Sequence, residues 1–156
     1  MQHGNSETHV LVPFTAHRLG DSDVDLAQRT FTLMAEVFDE TKEQLSDNYV
    51  KRLLGSEGFW GFTATRDDQV VGGLTAHVLP MTNSERFEVF IFDLAVDERF
   101  QRKGVGRLLV DTLRHSAAAV GASSVFVPAD NDDLHALDFY RSLGATGAAV
   151  TMFDFN

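Results

Sequence analysis

The stretch from Phe92 to Gly106, with the sequence FDLAVDERFQRKGVG, decides how this chain folds. It begins inside an apolar run that only Asp93 interrupts, continues through a short acidic turn, and ends in Gly104 and Gly106. From Val105 onward, apolar residues recur at helical spacing. The stretch therefore predicts a buried strand, a glycine-rich turn and a helix, in that order.

The turn Gln101–Gly106 has the chemistry of an anion site. Glycine allows a tight backbone whose successive N–H groups point to one place, and the following helix adds the positive end of its dipole. Arg102, Lys103 and Arg107 supply full positive charges. This arrangement suits a pyrophosphate; the alternative is an ordinary connection with solvated basic side chains. Neither a Walker loop nor the dinucleotide fingerprint is present, since Leu109 stands where the third glycine of that fingerprint belongs.

Outside this stretch, hydrophobic periodicity and turn residues predict two early helices, the first after the capping residues Asp21 to Asp23 and the second ending at Gly55. The predicted strands are Val10–Phe14, Phe59–Thr65, Gln69–Leu79, Phe87–Val96, Ser124–Pro128 and Ala148–Phe155, and the last helix runs from a cap at Asn131–Asp133 to about Leu143. The predicted fold class is α+β, with a central mixed, mostly antiparallel sheet flanked by helices. We expect a single domain over residues 10–156 and a frayed N-terminus at residues 1–9.

Composition and charge limit the class of protein. The 156 residues carry 13 Lys and Arg against 23 Asp and Glu, a formal net charge of −10. Such a surface disfavours nucleic acid and anionic membranes as partners and favours a polycation. No apolar run reaches the ~18 residues of a membrane span, and the N-terminus lacks a secretory signal pattern, so we expect a cytoplasmic protein. The absence of cysteine excludes disulfides and cysteine nucleophiles.

Metal ligation and covalent catalysis are not indicated. The six histidines form neither an H-E-x-x-H pattern nor an i, i+4 pair, so we interpret them as lone surface or core residues and expect no metal. No G-x-S-x-G nucleophile elbow occurs. A reaction without a covalent enzyme intermediate is the simpler expectation.

Asp93 is the first candidate for a chemical role, because burial of a lone carboxylate is costly unless something compensates it. The structural alternative is that a backbone donor or an arginine satisfies it. Glu88, earlier on the same strand, is the second candidate. Strict alternation would place Glu88 and Asp93 on opposite faces, but a bulge between them would place both on one face.

Other carboxylates could bind a polycation. Asp130, Asp132 and Asp133 precede the last helix, where capping explains one of them and the others are either solvated or bind a polyamine. Asp154 and the pair Asp39-Glu40 are weaker candidates for the same pocket.

Several segments resemble a known family. Leu94-x-Val96, the acidic turn and QRKGVG resemble the acetyl-CoA-binding motif Q/R-x-x-G-x-G/A of the GNAT N-acetyltransferase superfamily. The order of elements is similar across almost the whole chain. Within that superfamily, VGGLTAHVLP, FDLAVDERFQRKGVG, FVPAD…ALDFYRSLGA and MFDF are similar to the gentamicin-type aminoglycoside 3-N-acetyltransferases.

The resemblance implies a binding site for acetyl-CoA. Its pantetheine arm would pair with strand backbone like an added strand, and the amide of Leu94 would donate to the thioester oxygen. The backbone from Arg102 to Gly106 would hold the pyrophosphate. The cofactor-binding residues so implied are Leu94, Ala95, Val96, Gln101, Arg102, Lys103, Gly104, Val105, Gly106 and Arg107.

The resemblance also implies the reaction. Asp93 would orient the substrate ammonium and accept its proton. Tyr140, which is otherwise an aromatic at the edge of the core, would protonate the departing thiolate. The expected activity is direct acetylation of an aminoglycoside in a ternary complex, at the 3-amino group, which gives antibiotic resistance. The alternatives are a polyamine or a basic peptide as acceptor, and a non-catalytic acyl-CoA-binding sensor that needs neither residue. Since an exposed final strand could pair, a homodimer is a further expectation.

Overall fold

The computed structural model describes residues 12–41 and 43–156. Its elements are β1 Thr15–Arg18, α1 Val24–Val37, α2 Asp47–Leu54, β2 Phe59–Arg66, β3 Gln69–Pro80, β4 Phe87–Val96, α3 Val105–Ala119, β5 Ser124–Phe126 and α4 Leu134–Ser142. A single 3-10 turn, Glu98–Phe100, links β4 to the glycine-rich segment. No α-helix in these described ranges has both the length and the apolar character that a membrane span requires.

The strands form one five-stranded sheet in the order β1-β2-β3-β4-β5. Neighbouring strands are antiparallel except for the parallel pair β4 and β5, so the predicted mixed, mostly antiparallel sheet is confirmed. Asp67 and Asp68, with φ of 49° and 62°, close the β2–β3 hairpin. Positive φ at both central residues is the requirement of a two-residue type I′ turn, in which Asp is a favoured residue.

Helices pack against both faces of the sheet, and on each face a glycine of β3 allows the helix to approach closely. A Cβ on Gly73 would lie 2.5 Å from the Thr30 side chain of α1, and a Cβ on Gly72 would lie 3.2 Å from the Val105 side chain of α3. Successive strand residues point to opposite faces, so α1 and α3 lie on opposite sides of the sheet. The buried residues of α3 are Val105, Leu109, Val110, Leu113 and Ala117.

Two predicted strands differ from the structure. A strand is present at Thr15–Arg18, after Pro13, which has no N–H to donate to a ladder. Of the predicted strand Val10–Phe14, residues 12–14 form no strand, and residues 10 and 11 lie outside the described residues. The segment Ala148–Phe155 forms no strand, so the prediction that it closes the sheet is wrong. Apolar residues allow a segment to form a strand, but a strand also needs a partner ladder for its backbone. The side chains of Val150, Met152, Phe153 and Phe155 are exposed instead.

The chain divides after Phe126 into two compact units, and α4 belongs to the second unit. The single domain expected over residues 10–156 therefore stays a prediction. The frayed N-terminus expected at residues 1–9 lies outside the described residues.

Candidate functional site

A β-bulge shapes the centre of β4. Thr75 of β3 lies opposite Asp93, and the next pair is Ala76 with Ile91, so Phe92 has no residue opposite it. A bulge inserts one residue and thereby changes which face later side chains occupy.

The bulge determines which face of the sheet carries each of the two candidate carboxylates of β4. Glu88 lies opposite Leu79, and Asp93 lies opposite Thr75. Leu79 and Thr75 are four residues apart on β3, so both point to the same face, and their partners Glu88 and Asp93 do so too. The alternative in which strict alternation separates the two carboxylates is therefore wrong.

Asp93 is half-buried, and its pKa is raised above the ordinary aspartate value. Burial is the main cause, since loss of water disfavours the charged form. Glu40, just after α1, raises the pKa of Asp93 further, and His77 on β3 opposes both effects. Among the described residues, none forms a hydrogen bond with the Asp93 carboxylate. The structural alternative, in which a donor or an arginine satisfies this carboxylate, finds no support within these residues.

Glu88 is already engaged by its neighbour. The Ser124 hydroxyl of β5 donates a hydrogen bond to Glu88 Oε1 at 2.8 Å. Glu88 therefore helps to join β4 to β5, whereas Asp93 has its carboxylate available to a ligand.

Aromatic rings surround the side chain of His77 on the face that carries Asp93. The His77 ring lies edge-on to Phe59 at 5.7 Å and to Phe92 at 5.5 Å between ring centroids. Phe92 remains 59% exposed, although it also contacts Phe90. Aromatic walls and a carboxylate together suit an amine carried on a ring, by cation–π and apolar contact.

Beyond the bulge, one edge of β4 runs without a neighbouring strand. The ladder with β5 covers only Glu88, Val89 and Phe90, while the ladder with β3 continues to Val96. Within residues 12–41 and 43–156, no strand pairs with the β5-side edge of Leu94–Val96. An extended ligand can add to such an edge through main-chain hydrogen bonds.

The turn after β4 is held in place by its own side chains. The Gln101 side-chain amide donates to the carbonyl oxygen of Val96 at 3.0 Å. Asp97 accepts hydrogen bonds from the backbone N–H and the guanidinium of Arg99, and these bonds lower the pKa of Asp97. Gln101 thus helps to position the turn, and its role in cofactor binding stays a prediction.

The glycine-rich segment has the backbone of an anion site. Arg102 and Gly104 both have positive φ, at 60° and 86°. Gly104 caps α3, and the first helical bond runs from the Leu108 N–H to the Gly104 carbonyl. The N–H groups of the first turn of a helix have no helical carbonyl to bond, so those of Val105 and Gly106 can bind an anion. Val105 is buried and anchors this turn to the core.

Basic side chains flank this segment. The Lys103 ammonium lies 5.8 Å from the Phe100 ring centroid. Arg107 is exposed on the first turn of α3. Their charges add to the field of the helix N-terminus.

The second unit holds the remaining predicted site residues. Asp133 caps α4 by accepting the Ala136 N–H at 3.0 Å, which confirms that capping explains one of the three aspartates. The pKa of Tyr140 is raised, mainly by burial and then by Asp133. Asp130, in the segment before the cap, is exposed, as are Asp132 and Asp154.

The sequence does not identify His77 as a site residue, since it indicates only lone surface or core histidines. The position of His77, two residues after Thr75 on a strand that pairs with β4, could have indicated that it lies near Asp93. The register of that strand pair, however, is not visible in the sequence. Glu40 was named only as a weaker candidate, and its influence on Asp93 is now evident. Among the described residues, no group of three potential metal ligands is found.

Comparison with known proteins identifies a family and several relatives that this chain resembles. Residues 24–145 match the acetyltransferase (GNAT) family. Human N-acetyltransferase 8B is 33% identical over 132 residues, which cover 83% of this chain and 51% of that protein. The chain spans between about half and two thirds of the length of the relatives that it matches in sequence.

Two solved structures are similar over most of both chains. One is the aminoglycoside acetyltransferase HMB0005 from an uncultured soil metagenomic sample, with a TM-score of 0.87, 31% identity, and coverage of 92% of this chain and 98% of that one. The other is the aminoglycoside acetyltransferase meta-AAC0020, from such a sample, in complex with sisomicin. It has a TM-score of 0.87, 32% identity, and coverage of 92% and 95% of the two chains.

Proposed function

Because this chain belongs to the acetyltransferase (GNAT) family, we propose that it transfers the acetyl group of acetyl-CoA to an amine of an aminoglycoside. One observation carries the proposal: the half-buried Asp93 carboxylate lies on the strand whose open edge leads into an anion-binding turn. The likeness to two aminoglycoside acetyltransferases, one of them bound to sisomicin, supports this class of acceptor.

The residues present fit acetyl-CoA. The cradle at Gly104 has positive φ and no other atom within 4 Å of where a Cβ would lie, which leaves room for a phosphate group. The N–H groups of Val105 and Gly106, with Lys103 and Arg107 beside them, would hold the pyrophosphate. Acetyl-CoA, when bound, supplies the thioester carbonyl that the amine attacks.

The backbone of β4 would position the reacting end of acetyl-CoA. Leu94, Ala95 and Val96 would pair with the pantetheine arm along the open edge. The Leu94 N–H would donate to the thioester oxygen as that oxygen gains negative charge, which is where a fixed donor accelerates acyl transfer most.

Asp93 prepares the acceptor. An amine attacks only in its neutral form, so the ammonium of the substrate must lose a proton first. Asp93 orients this ammonium by charge and accepts its proton, and the raised pKa brings the carboxylate closer to the pH at which it works. Because Glu88 is bound to Ser124, Asp93 is the preferred base of the two.

Tyr140 completes the reaction by protonating the departing thiolate. Asp130, Asp132, Asp133 and Asp154 contribute negative charge for the other amines of the acceptor. The product is the 3-N-acetyl derivative, which loses one cationic group, and the cell that makes it resists the drug.

The first test measures thiol release from acetyl-CoA with gentamicin, kanamycin, spermidine and a lysine-rich peptide as acceptors. We expect release with gentamicin, and NMR of the product should show acetylation at the 3-amino group. Release with spermidine or the peptide alone would overturn the aminoglycoside assignment. No release with any acceptor, despite tight binding of acetyl-CoA, would favour a non-catalytic sensor.

A second test removes the base. Asp93→Asn should lower kcat/KM by about 100-fold or more, which is the lower range for a general base. Its affinity for acetyl-CoA, measured by calorimetry, should stay near the wild-type value. Asp111→Asn is the matched control, because Asp111 is an exposed carboxylate on α3 that only pairs with Arg114 at 3.7 Å. Wild-type turnover in Asp93→Asn would contradict the assignment of the base.

A further inference from the structure

His77 lies beside Asp93 and has no part in the reaction as described above. On β3, His77 is two residues from Thr75, which faces Asp93, and it points to the same face of the sheet. Diagonal neighbours across two strands are within reach of aromatic and long side chains. The electrostatic effect of His77 on Asp93 agrees with this placement.

The surroundings of His77 leave its ring nitrogens available. Phe59 and Phe92 hold the ring from two sides at 5.7 and 5.5 Å, so it has little freedom to turn away. No hydrogen bond joins the ring to another residue within 12–41 or 43–156. His77 is also partly exposed, so one side of the imidazole can exchange protons with water.

The reaction requires a route for one proton in each turnover. The acceptor enters as an ammonium and leaves as an amide, so its nitrogen loses two protons while the C–N bond forms. The C–S bond breaks, and its electron pair takes one proton at sulfur. The other proton must reach solvent. Asp93 receives it first, and the raised pKa of this half-buried carboxylate slows its direct release.

We propose that His77 takes this proton from Asp93, directly or through one water, and releases it to solvent. The inference rests on the proposed function, because it needs an acceptor that enters as an ammonium. A neutral imidazole has one nitrogen that can accept a proton, and histidine changes charge between about pH 5 and 8, so it can both receive and release at neutral pH. The charged groups nearby are Asp93 and Glu88 on β4 and Glu40 after α1, while β2 contributes the neutral Phe59.

His77→Phe tests this role. Phenylalanine keeps a ring between Phe59 and Phe92 but cannot carry a proton. At saturating acceptor, we expect kcat to fall about tenfold or more, the low end for loss of a proton-transfer group, while KM for the acceptor changes by less than about twofold. His115→Phe is the matched control, because His115 is exposed on α3, and it should keep the wild-type kcat.

The pH profile gives a readout that packing alone would not move. In the wild-type enzyme, kcat should fall at acidic pH, since an imidazole that already carries a proton cannot accept another. His77→Phe should lose the part of this fall that His77 causes, whereas the part caused by protonation of Asp93 should remain. A wild-type kcat and an unchanged pH profile in His77→Phe would show that His77 only packs against its neighbours, and would overturn the proposal.

A third variant keeps the test decisive if His77→Phe is unstable. His77→Ala should recover activity when imidazole is added, in proportion to the neutral imidazole present, and absence of recovery would contradict the relay. Failure of the proposed function gives a different result, because the wild-type protein would then release no thiol with any amine.

Discussion

At the scale of single residues, the carboxylate of Asp93 lies where its charged form is disfavoured. Burial and Glu40 raise its pKa, so the folded protein binds this proton more tightly than the unfolded chain does. Stability therefore falls as the pH rises from the ordinary aspartate range through the raised pKa. At neutral pH the charged Asp93 carboxylate therefore lowers the stability of the fold, as functional groups in active sites often do.

Replacement of this carboxylate should stabilise the protein. We expect Asp93→Asn to unfold at a higher temperature than the wild type at about pH 7, and this difference should shrink towards about pH 3, below the ordinary aspartate pKa, where Asp93 is protonated in both states. Thermal unfolding at the two pH values measures the effect, with Asp111→Asn as the control that gains nothing. A lower unfolding temperature for Asp93→Asn at neutral pH would contradict this account.

At the scale of elements, the turn between β4 and α3 depends on one backbone conformation. Gly104 has a φ of 86°, which L-residues with a Cβ adopt only at a cost, and it begins the helix whose first N–H groups form the anion site. No side chain would clash there, so the cost of a substitution comes from the backbone alone.

We therefore expect Gly104→Ala to lower the free energy of unfolding by about 1 kcal/mol. The affinity for acetyl-CoA should weaken as well, because the N–H groups shift with the turn. Denaturant unfolding and calorimetry measure the two effects. Gly147→Ala is the control, since its Cβ would meet no atom within 4 Å and its φ is not positive, and it should change neither quantity. Equal behaviour of the two variants would contradict a role for the left-handed turn.

The contact of α1 with the sheet depends on a second glycine. A Cβ on Gly73 would lie 2.5 Å from Thr30 Cγ2 and 2.7 Å from Met34 Sδ. Gly73→Ala should therefore cost about 1 to 3 kcal/mol of unfolding free energy, because α1 must move away from β3. The same denaturant experiment measures it, and a stability equal to that of Gly147→Ala would show that α1 adjusts freely.

At the scale of the whole molecule, the net charge of −10 favours capture of a polycation. Salt screens such attraction over a Debye length that shrinks from about 10 Å at 0.1 M to about 3 Å at 1 M. We expect the KM for gentamicin to rise severalfold between these two salt concentrations. The KM for acetyl-CoA, an anion, should not rise in parallel, and steady-state kinetics at saturating co-substrate measures both. A gentamicin KM that does not depend on salt would contradict long-range attraction.

The C-terminal segment shows where sequence patterning was insufficient. Residues from Ala148 to Phe155 are mostly apolar and are predicted to form the last strand, yet they form none, and Phe155 is 99% exposed. Pairing needs a free edge at the right register, which a local pattern does not specify. The expected homodimer stays a prediction, as does the role of Asp154 in this segment.

Local patterns in the sequence were sufficient to predict the strand, turn and helix around Gly104, the β2–β3 hairpin and the unusual carboxylate of Asp93. These features are local, since hydrophobic periodicity, glycine and a single charge in an apolar run act within a few residues. Strand pairing in the folded protein sets the bulge at Phe92, places Glu88 on the face of Asp93 but bound to Ser124, and brings His77 beside the base. Those relations depend on the register between strands far apart in the chain, and a shift of one residue would turn each side chain to the opposite face.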